Sequence, residues 1–305
     1  MPTLYQVLPL EANVRAQPKL APRNIIAQLK QGQLVEELPA LPNQPAGWRR
    51  VRASVQGAAV EGYLKAFLLA KSAAPPVPDP PVALPSLPEA HLSTKAAVRI
   101  TNPDLRAFSL NDPAQPRRVG TSVEARVREL AAIIAYLRVE AAARYQRTAS
   151  ATFCNIYAHD YCHLADVYLP RVWWRAKALT QLVQGQRLPA SYGTTVEEYN
   201  VNSLYNWLEE FGTDFGWRRT TSLTELQQAA NLGQVGIICA QRTNLNAPGH
   251  IVAVVPETES HKASRQGGQV SVPLQSQAGA INFRYGGRGW WTGAQFRRFG
   301  FWIHA

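Results

Sequence analysis

A proline-rich stretch is the feature that most constrains how this chain can fold. Residues 73–92 contain seven prolines, at positions 75, 76, 78, 80, 81, 85 and 88. Proline lacks the backbone N–H that helices and inner strands require, and a high proline density favours an extended, semi-rigid spacer. The sequence therefore predicts two folded units, residues 1–72 and 93–305, joined by a linker over residues 73–92.

The first segment has the pattern of a small all-β unit. Short apolar runs alternate with turn signals such as Gly32, and a longer alternating run begins at Trp48. Several short strands separated by turns predict a barrel. The segment resembles the bacterial SH3-like domain on four separated signals: Asn13 to Arg15, Gly32, Trp48 with Val51, and Glu61 to Leu64. That resemblance implies a domain that binds cell-wall peptide, with a structural spacer as the alternative.

The second segment begins with helical spacing and ends with strands. Helices are predicted over residues 122–147, 151–169 and 202–211, and a capping box at Ser222 and Glu225 starts a further helix. Strands are predicted over residues 235–240, 251–255, 270–274 and 300–304. Helices followed by antiparallel strands indicate an α+β domain.

Cys154 is the candidate nucleophile. It follows the polar residues Ser150 and Thr152, either of which could cap a helix that begins near the cysteine. At a helix N-terminus the macrodipole and the unpaired amides favour a thiolate, which is the nucleophilic form of cysteine. The same amides could bind the oxyanion of a tetrahedral intermediate. A buried structural cysteine is the alternative.

His250 is the candidate base, and an amide side chain is expected to orient it. His250 follows Gly249 at the head of the apolar strand Ile251 to Val255. An amide oxygen beside the imidazole would hold the tautomer whose other nitrogen accepts the thiol proton. Alternation along the next strand places Gln275 and Gln277 on one face, so Gln275 is the first choice for this role, followed by Gln277 and then Asn282.

The order of these three elements resembles the papain-like peptidoglycan hydrolases of the NlpC and CHAP kinds, and the run from Gly249 to Val255 is especially similar to their histidine strand. The resemblance implies a papain-like hydrolase with Cys154 and His250 as the catalytic pair, no cofactor, and peptidoglycan or cell-wall peptide as partner. Two features depart from the family. The sequence around Cys154 lacks an Asp-Cys-Ser-Gly signature, and the long interval before His250 indicates an insertion over residues 170–220.

Composition limits the other functions. The net charge of +11 is spread over both units, which favours an anionic partner or simply a soluble surface. The three cysteines do not predict a disulfide framework. No apolar run is long enough for a membrane helix and no signal peptide is visible, so we expect the cell envelope or the exterior, reached by non-classical export or by a phage or effector route. Nothing in the sequence predicts an oligomeric state.

Several alternatives remain open. A metal site could use His159, Asp160, Cys162 and His163, although the metalloprotease glutamate is missing. Trp173, Trp174 and Trp217 are candidate walls of a substrate cleft, with core packing as the alternative. Basic and aromatic residues near the C-terminus could bind nucleic acid, but no recognised motif accompanies them and no nucleic acid is expected. The competing functions are a non-catalytic binding module with a decayed papain-like domain and a toxin-like effector that acts on protein.

Overall fold

The computed structural model describes residues 3–9, 11–21, 24–55, 58–72 and 87–305. The chain divides into two compact units, residues 1–84 and 85–305. Most of the predicted linker, residues 73–86, lies outside the described residues. Within the described residues, no helix has the length and apolar character needed to span a bilayer.

The last part of the predicted linker belongs to the second unit, which corrects the boundary at residue 92. The carbonyl of Pro88 accepts a hydrogen bond from Trp174 Nε1 at 2.8 Å, and the amide of Ala90 donates to the Tyr168 hydroxyl at 2.9 Å. Trp174 and Tyr168 are buried, so their polar groups need partners inside the protein. Residues 88–90 supply those partners and are therefore part of the fold.

The first unit is a curled antiparallel sheet, in keeping with a half-barrel. Its strands run in the order β3-β2-β6-β5-β4-β1-β7. All seven strands contribute side chains to one core, which contains Val14, Leu29, Val51 and Leu64. The strands are β1 (Leu4–Val7), β2 (Glu11–Arg15), β3 (Ile25–Lys30), β4 (Leu34–Glu37), β5 (Trp48–Val55), β6 (Ala58–Lys65) and β7 (Leu69–Lys71).

The second unit is an α+β fold built around a six-stranded antiparallel sheet of order β10-β17-β11-β12-β15-β16. Its helices are α1 (Val123–Leu137), α2 (Cys154–Leu164), α3 (Ala176–Val183), α4 (Val201–Glu210) and α5 (Leu223–Asn231). Its strands are β8 (Val172–Trp174), β9 (Val196–Glu198), β10 (Arg218–Thr220), β11 (Val235–Arg242), β12 (His250–Val254), β13 (Ser264–Gln266), β14 (Gln269–Val272), β15 (Gln275–Gln277), β16 (Phe283–Gly286) and β17 (Phe296–His304).

Both faces of the central strands β11 and β12 are covered. Alternate residues such as Cys239 and Ile251 join the larger core formed with α1, α2 and α4, whereas Ile238 and Val252 join the core under α5. Strands buried on both faces have continuous rather than alternating apolar sequence, which is the pattern of residues 235–240 and 251–255.

The predicted insertion over residues 170–220 is an integral part of the second unit. Within it, α4 packs on β11, and Trp207 and Leu208 are buried in the larger core. The segment also supplies β10 to the edge of the central sheet. The segment predicted as an insertion therefore contributes to both the core and the central sheet of the second unit.

Helix ends follow local chemistry. The capping box at α5 is confirmed in its first half, because Ser222 Oγ accepts the amide of Glu225 at 3.1 Å. The Glu225 carboxylate instead contacts Thr220 and Arg218. The helix predicted to reach residue 147 ends at Leu137, because Arg138 adopts a left-handed backbone with φ of 45°.

Candidate active site

Cys154 is the first residue of α2. The residue before it, Phe153, occupies the N-cap position without a side-chain cap, so neither Ser150 nor Thr152 caps this helix as the sequence predicts. An uncapped N-terminus leaves backbone amides free to face another group. The amides of Cys154 and Asn155, together with that of Ile251 on β12, are directed at the thiol.

The cysteine is buried and neutral at rest. Burial raises the pKa of the Cys154 thiol above its ordinary value, and the hydrogen bonds from the amides of Ile251, Asn155 and Cys154 oppose that rise. The expected helix-terminus effect therefore exists, but desolvation outweighs it. The thiol needs a base in order to react at neutral pH.

His250 begins β12, next to the residue whose amide faces the thiol. Helix α2 packs on β12, which brings the start of the helix and the start of the strand together. Burial lowers the pKa of His250, an effect that Arg242 increases and the hydrogen bond with Gln277 opposes. The imidazole is therefore neutral at neutral pH and able to accept a proton.

Gln277 defines which imidazole nitrogen is available. Its Nε2 donates to the carbonyl of Ile281 at 2.9 Å, which leaves Oε1 to face His250 Nε2 at 2.8 Å. Because an amide oxygen only accepts, His250 must carry its proton on Nε2 and expose the lone pair of Nδ1. This is the tautomer that a general base acting through Nδ1 requires.

Gln275 and Asn282, the first and third choices for this role, have other partners. The Gln275 amide donates to the carbonyls of Pro273 and Arg288 and accepts from Trp290 Nε1 at 3.0 Å. Asn282 accepts from the amide of Gly279 and donates to two carbonyls near α1. Gln277 rather than Gln275 therefore contacts His250, and β14 ends before Pro273 while β15 is a short, irregularly paired strand rather than its continuation.

Trp290 covers the imidazole. Its ring lies edge-on to that of His250 with centroids 4.4 Å apart, and its Nε1 is tied to Gln275. This contact shields one side of the imidazole from water. The contact between Trp290 and His250 is not evident from the sequence, since the two residues are 40 positions apart and on different elements.

Two further contacts fix the elements that carry the catalytic candidates. Asn202 on α4 donates to the carbonyls of Leu245 and Ala247 at 3.0 Å each, which holds the loop before His250. The Tyr157 hydroxyl on α2 lies 2.5 Å from Ser276 Oγ on β15 and joins the cysteine helix to the strand of Gln277. Gly249 is required here, because a Cβ would lie 2.7 Å from the carbonyl oxygen of Ala240.

The predicted tryptophan walls belong to the core. Trp173, Trp174 and Trp217 are all buried, with exposed fractions of 3% or less. Trp173 packs among aromatic rings that include Trp207 and Phe215, and Trp217 donates to the carbonyl of Tyr168. These side chains are not available as walls of an open cleft.

The residues considered for a metal site have structural partners. The His159 ring bonds Leu169 O at 2.6 Å and Ser109 Oγ at 2.9 Å, and Asp160 forms a fully buried ion pair with Arg144. His163 bonds the carbonyl of Leu110, and Cys162 is buried. Among the described residues, no group of histidine, cysteine and acidic side chains is arranged to hold a metal ion.

Comparisons with known proteins add little. No family model matches the chain, and no curated protein matches it. The chain is weakly similar to the solved structure of NlpC2 from Trichomonas vaginalis, with 11% sequence identity, a TM-score of 0.23, and coverage of 100% of this chain and 72% of that one.

Proposed function

We propose that the second unit is a papain-like cysteine peptidase or amidase that uses Cys154, His250 and Gln277. The observation that carries the proposal is the orientation of His250. Its Nε2 is committed to Gln277, and its Nδ1 is left as a base beside the cysteine helix.

The mechanism is covalent. His250 Nδ1 accepts the Cys154 proton as the sulfur attacks an amide carbonyl, and the first-turn amides of α2 stabilise the resulting oxyanion. The imidazolium then returns the proton to the departing amine, which leaves a thioester. Water, deprotonated by His250, hydrolyses the thioester and restores the thiol.

We further propose peptidoglycan stem peptides as the substrate and an SH3-like role for the first unit, in which the curled sheet binds cell-wall peptide. The curled sheet with Val51 and Leu64 in its core supports this assignment, as does the basic charge of both units, which suits an anionic polymer. The expected place of action is the cell envelope or the exterior.

The test is incubation of the wild-type protein and Cys154→Ala with purified peptidoglycan, followed by mass spectrometry of the released fragments. We expect new amine termini with the wild type and none with Cys154→Ala. Cys162→Ala is the matched control, because Cys162 is a buried cysteine on the same helix and should be dispensable.

The outcome also separates the competing functions. Fragments from a protein substrate but not from peptidoglycan would favour an effector. No cleavage of either, together with no alkylation of Cys154 by iodoacetamide even at alkaline pH, would refute the nucleophile and leave a binding module.

A further inference from the structure

A cavity of about 200 Å³ lies at the C-terminal end of α2, and we call it the α2-end cavity. His163, which lines it, is nine residues beyond Cys154 on the same helix, a rise of about 14 Å along the helix axis. The cavity is therefore separate from the proposed active site. The lining residues include Glu89, His91, Arg117, His163, Asp166 and Tyr168.

Two opposite charges line the α2-end cavity without an ion-pair partner. Within the described ranges of the chain, no ion pair involves Arg117 or Asp166. Arg117 Nη1 donates to the carbonyl of His163 at 2.7 Å, and the amide of Asp166 donates to the same carbonyl at 3.3 Å. Arg117 and Asp166 are therefore neighbours, yet their charged groups do not neutralise each other.

The other ionisable groups around the cavity have partners or are neutral. Glu89 Oε2 lies 2.7 Å from His91 Nε2, and Arg118 directs its donors to three main-chain carbonyls. Burial lowers the pKa of His159 and of His163, so neither imidazole adds positive charge at neutral pH. Among the residues that the structure describes, one guanidinium and one carboxylate thus remain unpaired at this cavity.

Buried apolar side chains form another part of the wall. Val167, Tyr168 and Leu169 line the cavity and are all buried. The Tyr168 hydroxyl already accepts from the amide of Ala90 at 2.9 Å, and the His91 ring lies edge-on to the tyrosine with centroids 5.3 Å apart. Apolar and aromatic walls with a few polar groups are the usual composition of a small-molecule site.

The two unpaired charges select the class of ligand. A simple anion would bind Arg117 but would also meet the Asp166 carboxylate, and a simple cation would meet the Arg117 guanidinium. A molecule with both a carboxylate and an ammonium group pairs with both residues through charge-assisted hydrogen bonds. The cavity has room for about seven water molecules at about 30 Å³ each, which is the size range of a free amino acid.

We propose that the α2-end cavity binds a zwitterionic small molecule, a free amino acid, between Arg117 and Asp166. The ligand carboxylate pairs with the Arg117 guanidinium, the ligand ammonium pairs with the Asp166 carboxylate, and the ligand side chain lies against the apolar wall at Tyr168. The inference goes beyond the proposed function and does not rest on it, because binding here requires neither Cys154 nor His250.

The test is isothermal titration of the full chain with glycine, L-alanine and L-leucine. Each amino acid is compared with the acid that lacks its amino group and with the amine that lacks its carboxyl group: acetate and methylamine, propionate and ethylamine, isocaproate and isoamylamine. We expect at least one amino acid to bind, and both of its analogues to bind about tenfold more weakly or worse, which is about 1.4 kcal/mol or more.

The variant arm uses Arg117→Gln and Asp166→Asn, each of which should weaken binding of the amino acid about tenfold or more. Asp166 has a φ of 57°, a conformation that asparagine tolerates well, so Asp166→Asn removes the charge and keeps the backbone. Arg128→Gln is the control, because it removes a positive charge from an exposed position on α1. Cys154→Ala should bind the amino acid with unchanged affinity.

Three results would overturn the proposal. The first is no binding of any of the three amino acids at millimolar concentration, and the second is equal binding of an amino acid and either of its analogues. Both are measured on the unsubstituted chain, so they do not depend on the folding of a variant. The third is full affinity in both Arg117→Gln and Asp166→Asn. Failure of the peptidoglycan assay would leave all three measurements unaffected.

Discussion

Replacement of Gln277 is the most direct probe of the catalytic arrangement. The 2.8 Å bond between His250 Nε2 and Gln277 Oε1 stabilises the neutral imidazole by about 1 kcal/mol, whereas a bond from a charged imidazolium contributes about 1.5–3 kcal/mol. Only the difference, about 0.5–2 kcal/mol, is specific to the proposed step in which His250 holds the thiol proton. We therefore expect Gln277→Ala to lower kcat/KM about 2- to 30-fold.

The pH dependence of the same variant has a defined sign. The hydrogen bond with Gln277 raises the pKa of His250, so its loss lowers that pKa further. Because His250 acts as a base in its neutral form, the acid limb of the kcat/KM profile moves to lower pH in Gln277→Ala. Gln277→Glu keeps an acceptor of the same length and adds a negative charge, which moves the limb to higher pH.

The assay is the pH profile of kcat/KM on the fragment identified by mass spectrometry, supported by the rate of Cys154 alkylation, which needs no substrate. Shifts of the acid limb in the same direction for both variants would refute the role assigned to Gln277. A decrease in kcat/KM of less than about twofold in Gln277→Ala would refute it too, since that is below the smallest loss expected for the bond.

Three further predictions follow from the geometry. Because burial raises the pKa of Cys154, its alkylation by iodoacetamide should still accelerate with pH above about 8.5, the ordinary pKa of cysteine. An alkylation rate that is already constant at neutral pH would contradict a neutral thiol. Trp290→Phe keeps a ring against His250 but loses the bond to Gln275, and it should retain most of kcat/KM. Trp290→Ala exposes the imidazole to water and should lower kcat/KM about tenfold or more. Equal kcat/KM values for the two variants would show that the aromatic ring does not contribute to catalysis. Asp160→Asn leaves the buried Arg144 charge without its partner and should lower the free energy of unfolding by about 3–5 kcal/mol in denaturant titrations, and a loss below about 1 kcal/mol would mean that water reaches the pair.

Much of the second unit could be predicted because its signals are local. The continuous apolar runs at residues 235–240 and 251–255 predict strands buried on both faces, and both are central strands of the sheet. Ser222 with Glu225 predicts the start of α5, where the side-chain cap is present. These features depend on neighbouring residues, which the sequence displays directly.

The details of the site could not be predicted because they depend on contacts distant in sequence. Gln275 and Gln277 are equivalent by alternation, and only the irregular pairing of β15 with β16 distinguishes them. The roles of Asn202 and Trp290 likewise arise when loops from separate parts of the chain meet. Trp173, Trp174 and Trp217 were assigned to a cleft on residue type alone, whereas their burial follows from the packing of α4 and of residues 88–90.

The neutral, buried state of Cys154 has a consequence for how long the protein would survive outside a cell. Oxidation to sulfenic acid and beyond proceeds through the thiolate, and it is fastest for thiols that are exposed and acidic. A cysteine that remains protonated until a base and a substrate act on it gives peroxide and disulfides little to attack. Such a cysteine would keep its thiol in an oxidising medium without a reducing system.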